Sequence, residues 1–393
     1  MEWLTRVDDR VTSVVPRVDQ VVPSPSGALL AAFCTRRSDP DLVRRERVYI
    51  IEPSTGREVV ALDGPEILRG FAWVGDDALL VLRDRDVGGA TLRLHAIPDG
   101  GAVAELPLAE LSAGPVAIEL SADRSRALVA PWWMMSRRAS DARVVVLPSL
   151  APLARVGEGD VPDVAEAGTR PLWATLDPDG ARTLVLWGDF EEGGYLSVFP
   201  TDLRARRPPP IRVERAGYYA AWWLSRDRVL LAARETFDPG ALPCVVELDR
   251  GGVYSLPTPA LHKEVIARAL RPDLDGRRIA VLSQDAARDL HLSLVDLASL
   301  RGTDPRPWRH SLRFALALCW TSPGAIITAC AERGRVHLAR WSPDGGPAVD
   351  LTTVEHASSR SDFALSPVDH DTVTLSQPLD AGGFTVSLVN AHP

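Results

Sequence analysis

Short apolar runs alternate with polar corners along the whole chain. The corners are "PSPSG" ending at Gly27, "VGDD" at 74–77, "SADRS" at 121–125, "DPDG" at 177–180, "SRDR" at 225–228, "RPDLDG" at 271–276, "TSPG" at 321–324 and "SPVDH" at 366–370. With Pro25, Gly75, Ala122, Pro178, Arg226, Pro272, Ser322 and Pro367 as markers, the spacings are 50, 47, 56, 48, 46, 50 and 45 residues. A period of this length is the mark of one supersecondary unit repeated. After each corner comes a strongly apolar strand, such as "ALLAAFC", "TLVLW" or "AIITAC", then a third strand such as "RVYIIEP" or "LHLSLVDL". Many units add a weaker fourth, such as "REVVAL". The second and third strands are apolar almost throughout, which fits sheets covered on both faces; a hairpin with one wet face would alternate.

Four strands per unit, stacked face to face, predict an all-β propeller of eight blades around a channel, with seven as the alternative if one corner does not mark a complete blade. The eighth unit runs out after its third strand, "FTVSLVN", while "EWLTRVDD" and "RVTSVV" precede the first corner. An N-terminal strand that completes the last blade would close the ring and remove two exposed sheet edges. The whole of 1–393 is thus read as a single propeller domain. "LHKEVIARALRPD" also carries helical spacing at Leu261, Val265 and Leu270, but its place ahead of the sixth corner favours a linker and a first strand.

The corner "DPDG" resembles the start of a calcium loop. Counting from Asp177, however, the twelfth position is Gly188 rather than the required Glu, and the residues between are mostly apolar. A hairpin turn suits it better: Pro178 presets the second position, Asp179 the third, and Gly180 takes positive φ at the fourth.

"ALRPDLDGRRIAV" (269–281) and "ATLDPDGARTLVL" (174–186) resemble the WD40-like repeats of TolB-type propellers and of the propeller domains that precede prolyl-oligopeptidase-type hydrolases. The resemblance implies the propeller fold and a tendency to bind peptides, proteins or small ligands. The sequence stops after the last blade, so no hydrolase domain is expected to follow and no peptidase function is carried over.

With 44 basic and 52 acidic residues the formal net charge is −8, which argues against binding a nucleic-acid backbone or an anionic membrane surface. The N-terminus lacks the basic and apolar regions of a secretory signal, no apolar run is long enough to span a bilayer, and a cytoplasmic protein is expected. Cys34, Cys244, Cys319 and Cys330 have no metal-type spacing and sit in apolar strands, as buried free thiols would.

In a four-stranded blade the loop after the second strand and the segment leading into the first emerge on one face. The expected ligand- or partner-binding residues on that face are Arg36, Arg85, Trp132, Trp133, Asp189, Arg234, Glu235 and Asp285, with Tyr218 and Tyr219 ahead of a first strand. Charged loop tips are most often solvated surface, but "PWWMMSRR" groups two Trp and two Met that are hard to leave wet. In "AGYYAAWWLS", Trp222 and Trp223 suit the core while the tyrosines suit a channel mouth.

No G-x-S-x-G elbow, H-E-x-x-H, P-loop or G-x-G-x-x-G occurs, and no cofactor, metal site or catalytic residue is expected. Two readings follow. The favoured one is a non-catalytic scaffold that binds a protein, peptide or small ligand on the loop face. The other is a small-molecule enzyme at the channel mouth, which strongly perturbed carboxylates in a concave pocket would support.

Overall fold

The computed structural model of the chain describes residues 3–6, 21–38, 43–64, 66–85, 89–108, 111, 116–131, 141–163, 169–189, 193–202, 207–213, 220–232, 244–256, 266–273, 277–284, 289–299, 301–304, 306–311, 316–321, 324–332, 334–355, 364–368, 372–378 and 384–391. They form eight antiparallel sheets, one per corner, and the fold is an eight-bladed β-propeller. Every marker residue that falls among them either ends a first strand or lies in the turn that leads to the second.

Two compact units divide the chain, Glu66–Ser255 on one side and Met1–Pro65 with Leu256–Pro393 on the other. The first holds blades 2 to 5. Their inner strands are Ile67–Gly75, Val116–Leu120, Arg170–Leu176 and Ala220–Ser225, and their second strands are Ala78–Arg85, Arg126–Pro131, Arg182–Asp189 and Arg228–Ala232. The other unit holds blades 6, 7, 8 and 1. Blade 6 departs from the simple plan, because Asp289–Asp296 pairs on its outer side with two short pieces, Arg301–Gly302 and Arg306–Ser311. Ile266–Pro272 is a strand, so the helical spacing upstream does not carry into it.

Blade 8 is completed as the sequence predicts. Trp3–Arg6 runs antiparallel to Phe384–Asn390, with Trp3 opposite Leu388 and Arg6 opposite Thr385. Beside it, the blade 1 corner needs its glycine: Gly27 has φ +74°, and a Cβ there would stand 2.7 Å from the Val368 carbonyl oxygen of blade 8.

Apolar residues of facing blades fill the interior. Leu128, Ala130 and Val144 of blade 3 meet Ala174, Leu176, Val185 and Trp187 of blade 4, and Leu184, Leu186 and Val198 of blade 4 meet Val229, Leu231 and Val246 of blade 5. Cys244, Cys319 and Cys330 are buried within such layers and form no disulfide, and the Cys34 side chain lies outside the described residues.

A polar device is repeated over these layers. The second strands of blades 3, 4 and 6 open on Arg126, Arg182 and Arg278, and each reaches the next blade. Arg126 Nη1 donates to the Gly180 carbonyl at 2.6 Å, Arg182 reaches the Arg226 carbonyl, and the Arg278 guanidinium lies 5.7 Å from the Trp320 ring centroid. Carbonyls at tight corners have no ladder partner, and a long cationic donor from the adjoining blade satisfies them.

The same corner bears out the turn reading of Asp177. Gly180 N–H donates to the Asp177 carbonyl at 2.9 Å, Gly180 has φ +66°, and the buried Asp177 carboxylate accepts from Arg182 N–H at 3.1 Å and Arg182 Nε at 3.0 Å. Its oxygens serve the turn and an ion pair.

Candidate functional site

Of the ten residues expected on the loop face, Trp132, Trp133, Tyr218, Tyr219, Arg234, Glu235 and Asp285 lie outside the described residues. Arg36, Arg85 and Asp189 are placed by their backbone. All three stand near the far end of a second strand: Arg36 opposite Arg45, Arg85 opposite Gly89, and Asp189 opposite Gly193. The ladder therefore holds right up to the loops that these residues introduce.

Blade 2 shows what braces such an end. Arg83 and Asp84 precede Arg85 and are buried, as is Glu66 at the foot of the inner strand. Asp84 Oδ2 accepts from Arg69 Nη2 at 2.7 Å and from Arg69 Nε at 3.1 Å. Arg83 Nη1 donates to the Glu66 carbonyl at 3.2 Å, while the Glu66 carboxylate pairs with Arg93 at 3.3 Å. Arg93 in turn donates to Glu105 at 3.0 Å, a bond that, with Glu66 behind it, holds its guanidinium more firmly protonated than usual. The three arginines and three carboxylates compensate one another, so this group fixes the strand end rather than offering free charge.

A second feature was not foreseen from the sequence. Glu119 lies on the inner strand of blade 3, where Val116, Ile118 and Leu120 belong to the apolar layer shared with blade 2. Its Oε2 accepts from Thr175 Oγ1–H at 2.7 Å and from Leu176 N–H at 2.9 Å, both on the inner strand of blade 4. Desolvation pushes its carboxyl up to about 7, against the two hydrogen bonds, which pull it down. Among the described residues, the groups that act on it are the neutral Thr175 hydroxyl and Leu176 amide. The second oxygen, Oε1, takes no hydrogen bond from a described residue, and the residue as a whole is half-buried rather than fully enclosed.

The sequence did contain a signal. Three residues before the markers, the other seven blades carry Val22, Ala72, Thr175, Trp223, Ala269, Cys319 and Ala364, none of which is ionisable under ordinary conditions except the weakly acidic thiol. Glu119 alone puts a carboxylate there. Such a group at about 7 can accept or release a proton near neutral pH, and it can bind a donor or a cation through Oε1. Among the described residues, no group of three or more His, Cys, Asp or Glu is placed to hold a metal ion.

No protein-family model matches the chain, and no curated protein matches it. Solved structures do. The Dos1 propeller is 10% identical over 99% of this chain and 93% of its own, with a TM-score of 0.59. An oligogalacturonate lyase from Vibrio parahaemolyticus is 11% identical over 94% and 97%, with a TM-score of 0.56. An oligogalacturonate lyase in complex with manganese is 12% identical over 95% and 97%, with a TM-score of 0.55. The likeness is one of fold. At these identities propellers of different employment share the same frame, so function has to be argued from the residues.

Proposed function

We propose that the chain is a cytoplasmic, non-catalytic propeller that binds a protein or peptide partner on the face formed by the loops after the second strands. The observation that carries this reading is the way the second strands end. Their backbones stay paired up to Arg36, Arg85 and Asp189, so the ladder fixes the points from which the loops of blades 1, 2 and 4 set out. Rigid strands that present charged and aromatic loop residues suit recognition, in which little ordering cost is left for the binding step. The propeller fold shared with the Dos1 propeller is in keeping with it. The test is capture of partners from lysate by wild type and by the Arg36→Glu/Arg85→Glu double variant. A partner held by wild type and released by the double variant, with unchanged melting, supports the reading; equal capture by both removes the loop face from it.

A second reading, a small-molecule enzyme, is favoured by Glu119, whose carboxyl titrates at about 7, and by the two lyases that share the fold. It is tested by ultraviolet detection of unsaturated product from oligogalacturonate, with and without manganese. Turnover by wild type that Glu119→Gln loses would put this reading first.

A further inference from the structure

Among the described residues, the fully buried carboxylates come with an arginine. Asp84 has Arg69, Glu66 has Arg93, and Asp177 has Arg182. Glu119 differs from them: its only partners among the described residues are the neutral donors Thr175 Oγ1–H and Leu176 N–H, both on Oε2. A desolvated carboxylate without a countercharge is costly, and a cation brought to its second oxygen would relieve that cost. The described charged groups on the elements around it are engaged elsewhere. Arg69 is taken by Asp84, Arg126 by the Gly180 carbonyl and Thr201, Arg124 by the Trp73 carbonyl, and Asp123 by Ser121 and Ser125, while Arg170 stands at the opposite end of the strand that carries Thr175.

We infer that Glu119, held by Thr175 and Leu176, is the anionic end of a ligand site on the inner strands of blades 3 and 4, and that it takes a cationic nitrogen group, guanidinium or ammonium, at Oε1. Thr175 and the Leu176 amide position the carboxylate through Oε2 and leave Oε1 as a single-point acceptor. This site is separate from the loop face, and the net charge of −8 favours the approach of a cationic ligand.

The test is isothermal titration of the full chain with N-acetyl-arginine methylamide and with butylammonium, and with N-acetyl-citrulline methylamide as the uncharged control. Saturable binding of either cation and none of the citrulline compound is the expected result. The arginine probe stays charged throughout, so lowering the pH from 8 to 6 should weaken its binding about tenfold as Glu119 takes up its proton near 7. Glu119→Gln keeps an acceptor for Thr175 and Leu176 and should lose both the binding and its pH dependence. Equal binding of the citrulline compound, binding retained by Glu119→Gln, or no saturation by either cation would overturn the inference. A second measurement needs no variant. In wild type, the carbon-13 titration of the Glu119 carboxyl should shift to lower pH when a cation saturates the site; an unmoved midpoint refutes the proposal. Partner capture by Glu119→Gln separates the two proposals, since its loss of cation binding should leave the loop-face partner in place.

Discussion

Arg182 holds its guanidinium 4.9 Å from the ring centroid of Trp223, one blade further on, while its Nε bonds the buried Asp177 carboxylate. One side chain thus closes a corner and ties blade 4 to blade 5. Arg182→Ala should strand Asp177 without its cation and cost about 3 kcal/mol, of which the ring contact accounts for up to about 2. Thermal unfolding of Arg182→Ala, Asp177→Asn and the double variant would check this. The double variant should lose less than the two singles together. Because both Asp177 oxygens are engaged by Arg182, Asp177→Asn should also leave the melting temperature equally indifferent to calcium; a calcium-dependent rise abolished by that change would refute the turn assignment.

Glu119 should leave a signature in stability as well as in binding. Its folded-state value, about 7, is raised above the ordinary 4.5. The folded protein therefore holds a proton that the unfolded chain has released between those values, and stability from this group is present at low pH and is lost as pH rises through 7. The full swing is about 3 kcal/mol. Relative to Glu119→Gln, wild type should grow less stable from pH 5 to pH 8. A difference between the two proteins that does not change over that range would contradict the buried setting.

Trp341 donates its indole N–H to Thr328 Oγ1 at 2.9 Å, and both residues are fully buried. Thr328→Val preserves shape but leaves that donor unsatisfied, for a loss of about 1–3 kcal/mol, whereas Thr328→Ser should restore most of it. Urea unfolding of the two variants distinguishes the hydrogen bond from simple packing.

Removing residues 1–6 should expose the outer edge of Phe384–Asn390, which Trp3–Arg6 now covers. A lower melting temperature and concentration-dependent association are expected, measurable by calorimetry and light scattering. Unchanged behaviour would mean that the pairing contributes little.

The blades were legible because their signal is local and repeated. Each corner fixes a turn, and each apolar run must find cover on both faces, so eight corners with even spacing left few architectures to consider. Even the completion of blade 8 by residues near the N-terminus could be read, since a missing strand at one end matched a surplus at the other. What could not be read was anything that depends on the neighbour across a blade interface. Glu119 stands in "VAIEL" as one acidic residue in an apolar run, and only the placement of Thr175 and Leu176, more than fifty residues later, makes it a desolvated carboxylate. The arginines at the starts of second strands likewise take their meaning from partners on the next blade. Arg83 and Asp84 stand just before the loop residue Arg85, yet they are buried and compensated.

The pairing of Trp3 with Leu388 also has a consequence for synthesis on the ribosome. Blades whose strands are consecutive can form as each stretch emerges, because their contacts close short loops. Blade 8 cannot. About 380 residues of chain separate its outer strand from that strand's partner. The leading segment must wait without its mate until blade 8 has been made, so this pairing closes a far longer loop than any hairpin within a blade, and contacts of such separation form slowly.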